Sequence, residues 1–107
     1  MSNALAVNDS TFAQEVIQSP TPVVVDFWAE WCGPCQRLGP VLDELAGDFN
    51  GRAKVVKVNV DENPELAGEY GVTSIPLLLF FKKGQVVDQV LGLQSKGALS
   101  QKLSALL

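Results

Sequence analysis

The chain contains no histidine among its 107 residues. This absence excludes Cys–His and Ser–His nucleophile pairs and every metal site that needs an imidazole ligand. Cysteine is nearly as scarce, because Cys32 and Cys35 are the two cysteines present. Two thiolates cannot complete a four-thiolate zinc site within one chain, and they are too few for the disulfide framework of a small secreted domain. We therefore expect no bound metal.

Positive charge is not concentrated anywhere in the sequence. Eight basic and twelve acidic residues give a net charge of −4, and the longest basic run is the pair Lys82-Lys83. This distribution argues against a surface for nucleic acid or for an anionic membrane. No apolar run approaches the roughly 20 residues of a membrane-spanning helix, so we expect neither nucleic acid nor a membrane as a partner.

The N-terminal residues 1–12 lack a basic start followed by an apolar stretch. No signal peptide is predicted, and we expect a cytoplasmic protein, with a processed plastid protein as the alternative. Apolar residues make up 47% of the chain and charged residues 19%, which is enough apolar surface for a core and argues against disorder. The length suits one domain over residues 1–107.

A strand, a helix and a second strand follow one another in the first half of the chain. Residues 23–29, VVVDFWA, are apolar except for Asp26, which predicts a central strand buried on both faces. From Pro34 to Phe49 the apolar residues recur at helical spacing, which predicts a helix with a kink at Pro40. Residues 53–60, AKVVKVNV, predict the second strand. Together these elements indicate a right-handed βαβ unit.

Shorter elements are predicted on either side of this unit. Candidate N-caps of an early helix are Asn8, Asp9 and Ser10. The apolar face of that helix should comprise Phe12, Val16 and Ile17. Further along, the pattern predicts a short helix from Asn63-Pro64 to Tyr70 and a hairpin that turns at Lys83-Gly84. Ser95 should cap a last helix, whose inward face should comprise Leu99, Leu103 and Leu106.

The cysteine pair lies between the buried strand and the start of the helix. Residues three apart on a helix are neighbours, so the two sulfurs are close enough to bond. Cys35 belongs to the apolar stripe and should be buried, whereas Cys32 precedes the stripe and should be exposed. At a helix N-terminus, unpaired N–H groups and the macrodipole favour a thiolate. We therefore expect Cys32 to attack a disulfide and Cys35 to resolve the mixed disulfide.

Two other interpretations of a C-x-x-C pair are possible. The pair could be a structural disulfide or half of a zinc knuckle. Its place in a βαβ unit, in a chain with no sign of secretion, favours the redox interpretation.

The segment around the pair, DFWAEWCGPC, is similar to the active-site segment of the thioredoxin family, and the similarity extends over NVDENP, GVTSIP and SKGALSQKL. The resemblance implies an α/β thioredoxin fold, a five-stranded mixed β-sheet flanked by four helices, with a first strand near Asn3 to Val7. It implies reduction of protein disulfides by a monomer that needs no cofactor besides the Cys32–Cys35 pair. Partners would be disulfide-containing proteins and a thioredoxin reductase, either NADPH-dependent or ferredoxin-dependent.

Asp26 and Lys57 are charged residues in otherwise apolar strands. A buried, unpaired carboxylate is costly, so such a residue is either paired or functional. Both could instead form a structural ion pair or face water. The resemblance implies that Asp26 is a buried base with a raised pKa that takes the proton of Cys35 through water, and that Lys57 tunes it.

The resemblance also implies a surface where substrates dock. Pro76 would follow a cis peptide bond next to the disulfide, and the backbone of Ile75 would pair with an extended substrate. A flat apolar surface would comprise Trp31, Gly33, Pro34, Ile75, Pro76 and Gly92. Trp28 would instead pack beneath the motif.

The chain departs from the family pattern at three positions near this surface, which hold Gln36, Leu77 and Leu93 where lysine, threonine and alanine are common. Each could alter partner choice. Gly33-Pro34 lacks the histidine that disulfide isomerases carry between their cysteines, which favours a reductant over an oxidant. A binding module whose redox pair is incidental stays an alternative at this stage.

Overall fold

The sheet has five strands in a computed structural model that describes residues 4–107. The strands are β1 (Leu5–Ala6), β2 (Val23–Trp28), β3 (Lys54–Asn59), β4 (Leu77–Lys82) and β5 (Gln85–Leu91). Their order across the sheet is β1-β3-β2-β4-β5. The first three strands are parallel, whereas β4 runs antiparallel to β2 and β5 antiparallel to β4. The mixed sheet is therefore confirmed, and β2 lies at its centre.

Among residues 4–107, four helices accompany the sheet: a π-helix (Ala13–Ile17), α1 (Gly33–Asp48), α2 (Pro64–Glu69) and α3 (Lys96–Ser104). Local sequence explains where the helices begin. Pro34 occupies the first turn of α1, where its missing N–H costs nothing. Ser95 caps α3, because its hydroxyl accepts a hydrogen bond of 3.1 Å from the N–H of Ala98.

Successive residues of the central strand β2 pack into two separate hydrophobic cores, one on each face of the sheet. Val24 packs with α1 and α3 residues such as Leu42 and Leu99, while Val25 packs with Val16 and Phe81 on the opposite face. The period of two along a strand puts Asp26 on the same face as Val24, the face that α1 covers. The site residues of β2 are thus directed towards the helix that carries Cys35.

The early helix differs from its predicted form at one residue of its inward face. Phe12 and Val16 are buried as expected, but Ile17 is 36% exposed, so its assignment to the inward face is wrong. Ile17 lies in the last position of the π-helix, where the carbonyl faces the β4–β5 turn: a Cβ at Gly84 would lie 3.0 Å from the Ile17 oxygen. Among the candidate caps, the Asn8 side chain accepts hydrogen bonds from the backbone N–H groups of Ser10 and Thr11.

The hairpin turn falls where the sequence predicted it. Lys83 has a φ of 54° and Gly84 a φ of 79°, so both turn residues adopt the left-handed region that a two-residue hairpin requires. The first strand is shorter than the expected span, and Asn3 lies outside the described residues.

Candidate active site

Cys32 is the N-cap of α1, and its side chain takes the role that a serine or aspartate oxygen usually has. The N–H of Cys35 points at the Cys32 Sγ atom across 3.2 Å. The two sulfurs form a disulfide, and the Cα atoms of the pair are 5.2 Å apart. After reduction, the same N–H and the helix N-terminus stabilise negative charge on the Cys32 sulfur.

The expected contrast in exposure between the two cysteines is wrong. Cys32 is 5% exposed and Cys35 is 3% exposed, so both are buried. The reason is local packing, because the pair forms a small cluster with Ala29 against Trp28, Val60 and Ile75. The asymmetry of the pair therefore lies in hydrogen bonding and helix position rather than in accessible area.

The loop before β4 contacts the disulfide. The Ile75–Pro76 peptide bond is cis, as the resemblance implied. The Ile75 carbonyl oxygen lies 3.9 Å from the Cys32 Sγ atom. The N–H of Gly92 donates a hydrogen bond of 2.8 Å to the Pro76 carbonyl, which holds the Gly92 turn beside this loop. Pro76 itself is buried, and its place in the docking surface stays a prediction.

A groove of about 380 Å³ opens next to the disulfide. Its lining comprises Trp31, Val60, Val72, Thr73, Ser74 and Ile75. Trp31 forms one wall and is 71% exposed, yet its indole N–H donates a hydrogen bond of 2.7 Å to Asp61 Oδ2. Gly33 and Pro34 are exposed at the start of α1 but do not line the groove.

Asp26 lies buried on the face of β2 that α1 covers, with 3% of its surface exposed. Its Oδ1 atom has no hydrogen-bond partner within residues 4–107. Burial raises the pKa of Asp26 from 3.8 to about 7, and the charge of Lys57 partly offsets this rise. Lys57 is opposite Asp26 in the β2–β3 register, and its Nζ atom lies 5.4 Å from the centre of the Trp28 ring.

Sequence reasoning missed part of this arrangement. Asp61 is 30 residues from Trp31 in sequence, and no local sequence pattern predicts the hydrogen bond between them. Gln36 donates from its side-chain amide to the Glu30 carbonyl across 2.9 Å, which also went unpredicted. Val60 is the last residue of the predicted strand 53–60 and Val72 lies outside the predicted elements, and only the fold shows that they share one groove.

A cysteine pair that forms a disulfide at a helix N-terminus is typical of proteins that carry out thiol–disulfide exchange. The thioredoxin family profile matches residues 3–105, and the chain belongs to this family. It is 58% identical to thioredoxin 1 of Nostoc sp. over 103 residues, 96% of each chain. It is 55% identical to thioredoxin 1 of Synechococcus elongatus, again over 96% of each chain. A thioredoxin of Pyropia yezoensis is 51% identical over 92% of each chain.

Membership of the family establishes the general chemistry. Thioredoxins are disulfide oxidoreductases that act through their own cysteine pair without a cofactor, and their partners are a reductase and disulfide-containing proteins. Within residues 4–107, no helix is both long and apolar enough to cross a membrane.

Proposed function

We propose that this protein is a cytoplasmic reductant of protein disulfides in which Cys32 is the nucleophile and Cys35 the resolving thiol. The observation that carries the proposal is the position of Cys32 as N-cap, with the Cys35 N–H directed at its sulfur. This hydrogen bond and the helix N-terminus lower the cost of ionising the Cys32 thiol. Cys35 lies inside the first turn, and within residues 4–107 no backbone N–H is directed at its sulfur in the same way.

The first step joins the protein to its substrate. The Cys32 thiolate attacks one sulfur of the substrate disulfide, the substrate S–S bond breaks, and its other sulfur leaves as a thiolate that then takes a proton. The product is a mixed disulfide between Cys32 and the substrate. The Ile75 backbone next to Cys32 Sγ suits an extended substrate segment that pairs with it, and the space around Gly92 is open, since a Cβ there would meet no atom within 4 Å.

The second step releases the substrate. The Cys35 thiol loses its proton, its thiolate attacks Cys32 Sγ, and the substrate leaves as a second thiolate. Two electrons have then passed to the substrate, and the Cys32–Cys35 disulfide has formed. Asp26 is the base in this proposal, because it faces α1 and a pKa of about 7 suits proton acceptance near neutral pH. Lys57 keeps that pKa from rising further.

Reduction of insulin disulfides by the reduced protein tests the activity. We expect catalytic reduction in the presence of dithiothreitol, seen as precipitation of the insulin B chain. A Cys32→Ser protein should be inactive, because the remaining thiol, Cys35, does not occupy the N-cap position that favours the thiolate of Cys32. Wild-type protein that fails to accelerate the reaction would favour the binding-module alternative.

The reductase that regenerates the dithiol can be identified by the same assay. Dithiothreitol is replaced by NADPH with an NADPH-dependent thioredoxin reductase, or by reduced ferredoxin with a ferredoxin-dependent reductase. We propose that the protein accepts electrons from one of these two as a monomer, and sedimentation at the assay concentration tests its state. Cell fractionation distinguishes the cytoplasm from a plastid.

A further inference from the structure

The Trp31 side chain is exposed, and two hydrogen bonds restrain it: one is made by its indole, and the other by the Glu30 carbonyl, which precedes it in the chain. A tryptophan that is 71% exposed gains little from burial, so packing alone does not fix its ring. One hydrogen bond fixes the backbone of the residue before it, and the other fixes the indole itself.

Gln36 provides the backbone restraint. Its side-chain Nε2 atom donates to the Glu30 carbonyl across 2.9 Å, while its own N–H donates to the Cys32 carbonyl across 3.1 Å. Gln36 thus ties the segment before the nucleophile to the first turn of α1. The cysteine motif itself does not supply this restraint, because Gly33 and Pro34 have no side-chain donor.

Asp61 provides the side-chain restraint. The turn after β3 is ordered by Asn59, whose Oδ1 atom accepts hydrogen bonds from the N–H groups of Asp61 and Glu62 at 2.9 and 3.2 Å. The turn brings the Asp61 carboxylate within 2.7 Å of the Trp31 indole nitrogen. An ionised acceptor makes this a stronger hydrogen bond than one between neutral groups.

We propose that Gln36 and Asp61 are positioning residues that hold Trp31 as the fixed wall of the groove and thereby set the affinity for protein disulfides. An extended substrate segment with an apolar side chain would enter the groove and pack against Trp31. Because the Trp31 ring is already fixed, binding does not cost the entropy of ordering it. A small disulfide that reaches the sulfur without filling the groove gains nothing from it. The inference rests on the proposed reductase function.

Four variants test the two restraints. Gln36→Leu and Asp61→Ala remove a donor and an acceptor, whereas Gln36→Lys retains a donor and Asp61→Asn retains an acceptor. Gln14→Leu is the matched control, because Gln14 is exposed on the π-helix. The KM and kcat are measured with insulin and with 5,5′-dithiobis(2-nitrobenzoate). The mobility of the Trp31 indole is followed by its ¹⁵N heteronuclear NOE, with the resonance assigned through Trp31→Phe.

We expect Gln36→Leu and Asp61→Ala to raise the KM for insulin roughly threefold to tenfold, the loss that one hydrogen bond typically causes. Their kcat and their rate with the small disulfide should stay within twofold of wild type, and the indole NOE should fall. Gln36→Lys and Asp61→Asn should recover most of the affinity, and Gln14→Leu should match wild type throughout.

Three results would overturn the inference. An unchanged KM for insulin in both disruptive variants would show that the restraints do not affect docking. A raised KM with an unchanged indole NOE would mean that Gln36 and Asp61 act by direct contact with substrate. An equal loss with the small disulfide would place the effect on the thiol chemistry. Wild-type protein that reduces neither substrate would refute the reductase function instead, so the two failures are distinguishable.

Discussion

Asp26 is a buried carboxyl group, and its burial makes ionisation costly in the folded protein. Its folded pKa of about 7 lies above the ordinary 3.8, so the native state retains a proton that the unfolded state has lost. The contribution of Asp26 to stability is therefore complete below pH 3.8 and is lost as the pH rises through about 7. A shift of this size corresponds to about 4 kcal/mol at about 1.4 kcal/mol per pH unit.

We accordingly expect Asp26→Asn to raise the free energy of unfolding at pH 8 by up to about 4 kcal/mol, because the neutral amide avoids the cost of a buried charge. The gain should disappear below pH 4, where Asp26 is protonated in both states. Urea unfolding at the two pH values measures the difference, with Asp9→Asn as an exposed control. A variant that is less stable than wild type at pH 8 would show that the carboxylate is a structural partner.

The same substitution should slow catalysis. Without a carboxylate at position 26, Cys35 loses its proposed proton acceptor, so the mixed disulfide should persist longer at neutral pH. Stopped-flow measurement of substrate release, with the initial attack recorded separately, distinguishes the two steps. Equal release rates in Asp26→Asn and wild type would remove Asp26 from the proton transfer.

The two cysteines should differ in what they trap. Cys35→Ser should attack a substrate disulfide and stall as a mixed disulfide, because the serine hydroxyl cannot displace it. Cys32→Ser should trap nothing. Non-reducing electrophoresis and mass spectrometry after incubation with oxidised insulin would show the adduct. Trapping by Cys32→Ser alone would reverse the assigned roles.

At the scale of elements, the N-cap residues of two helices have different proposed roles: one stabilises the fold, and the other is the proposed nucleophile. Ser95 caps α3 with a hydroxyl oxygen, and Cys32 caps α1 with a sulfur. Removal of the Ser95 hydroxyl in Ser95→Ala should lower the free energy of unfolding by about 1 kcal/mol, while the reductase rate stays unchanged. Thermal melts compare it with Ser104→Ala, at the other end of the same helix. Equal losses in both variants would contradict a capping role for Ser95.

Most elements were predictable because their signals are local. The continuous apolar run and β-branched content of β2, the proline and apolar stripe of α1 and the Lys83-Gly84 turn each depend on residues close in sequence. The exposure of Ile17 was not predictable, because it depends on how the π-helix meets a turn more than 60 residues away. The burial of Cys32 likewise depends on Val60 and Ile75, which approach it from other elements.

For the whole molecule, the sheet order decides which residues form the site. In the β1-β3-β2-β4-β5 order, Lys57 of β3 lies beside Asp26 of β2. The loop before β4, which contains Ile75, lies next to Cys32. The resemblance in sequence supplied the mixed sheet, the cis bond and the candidate residues. It did not supply the Gln36 and Asp61 contacts, because these depend on side-chain positions that a motif does not encode.

The direction of electron flow is the central claim, and the reduction potential of the Cys32–Cys35 pair tests it most directly. The pair can be equilibrated with dithiothreitol buffers and quantified by thiol alkylation. The neutral Gly33-Pro34 spacer leaves the Cys32 thiolate with less stabilisation than a charged spacer would give. We therefore predict a potential near the roughly −270 mV that is typical of thioredoxins. A potential of about −180 mV or higher, as in disulfide isomerases, would contradict the assignment of this protein as a reductant.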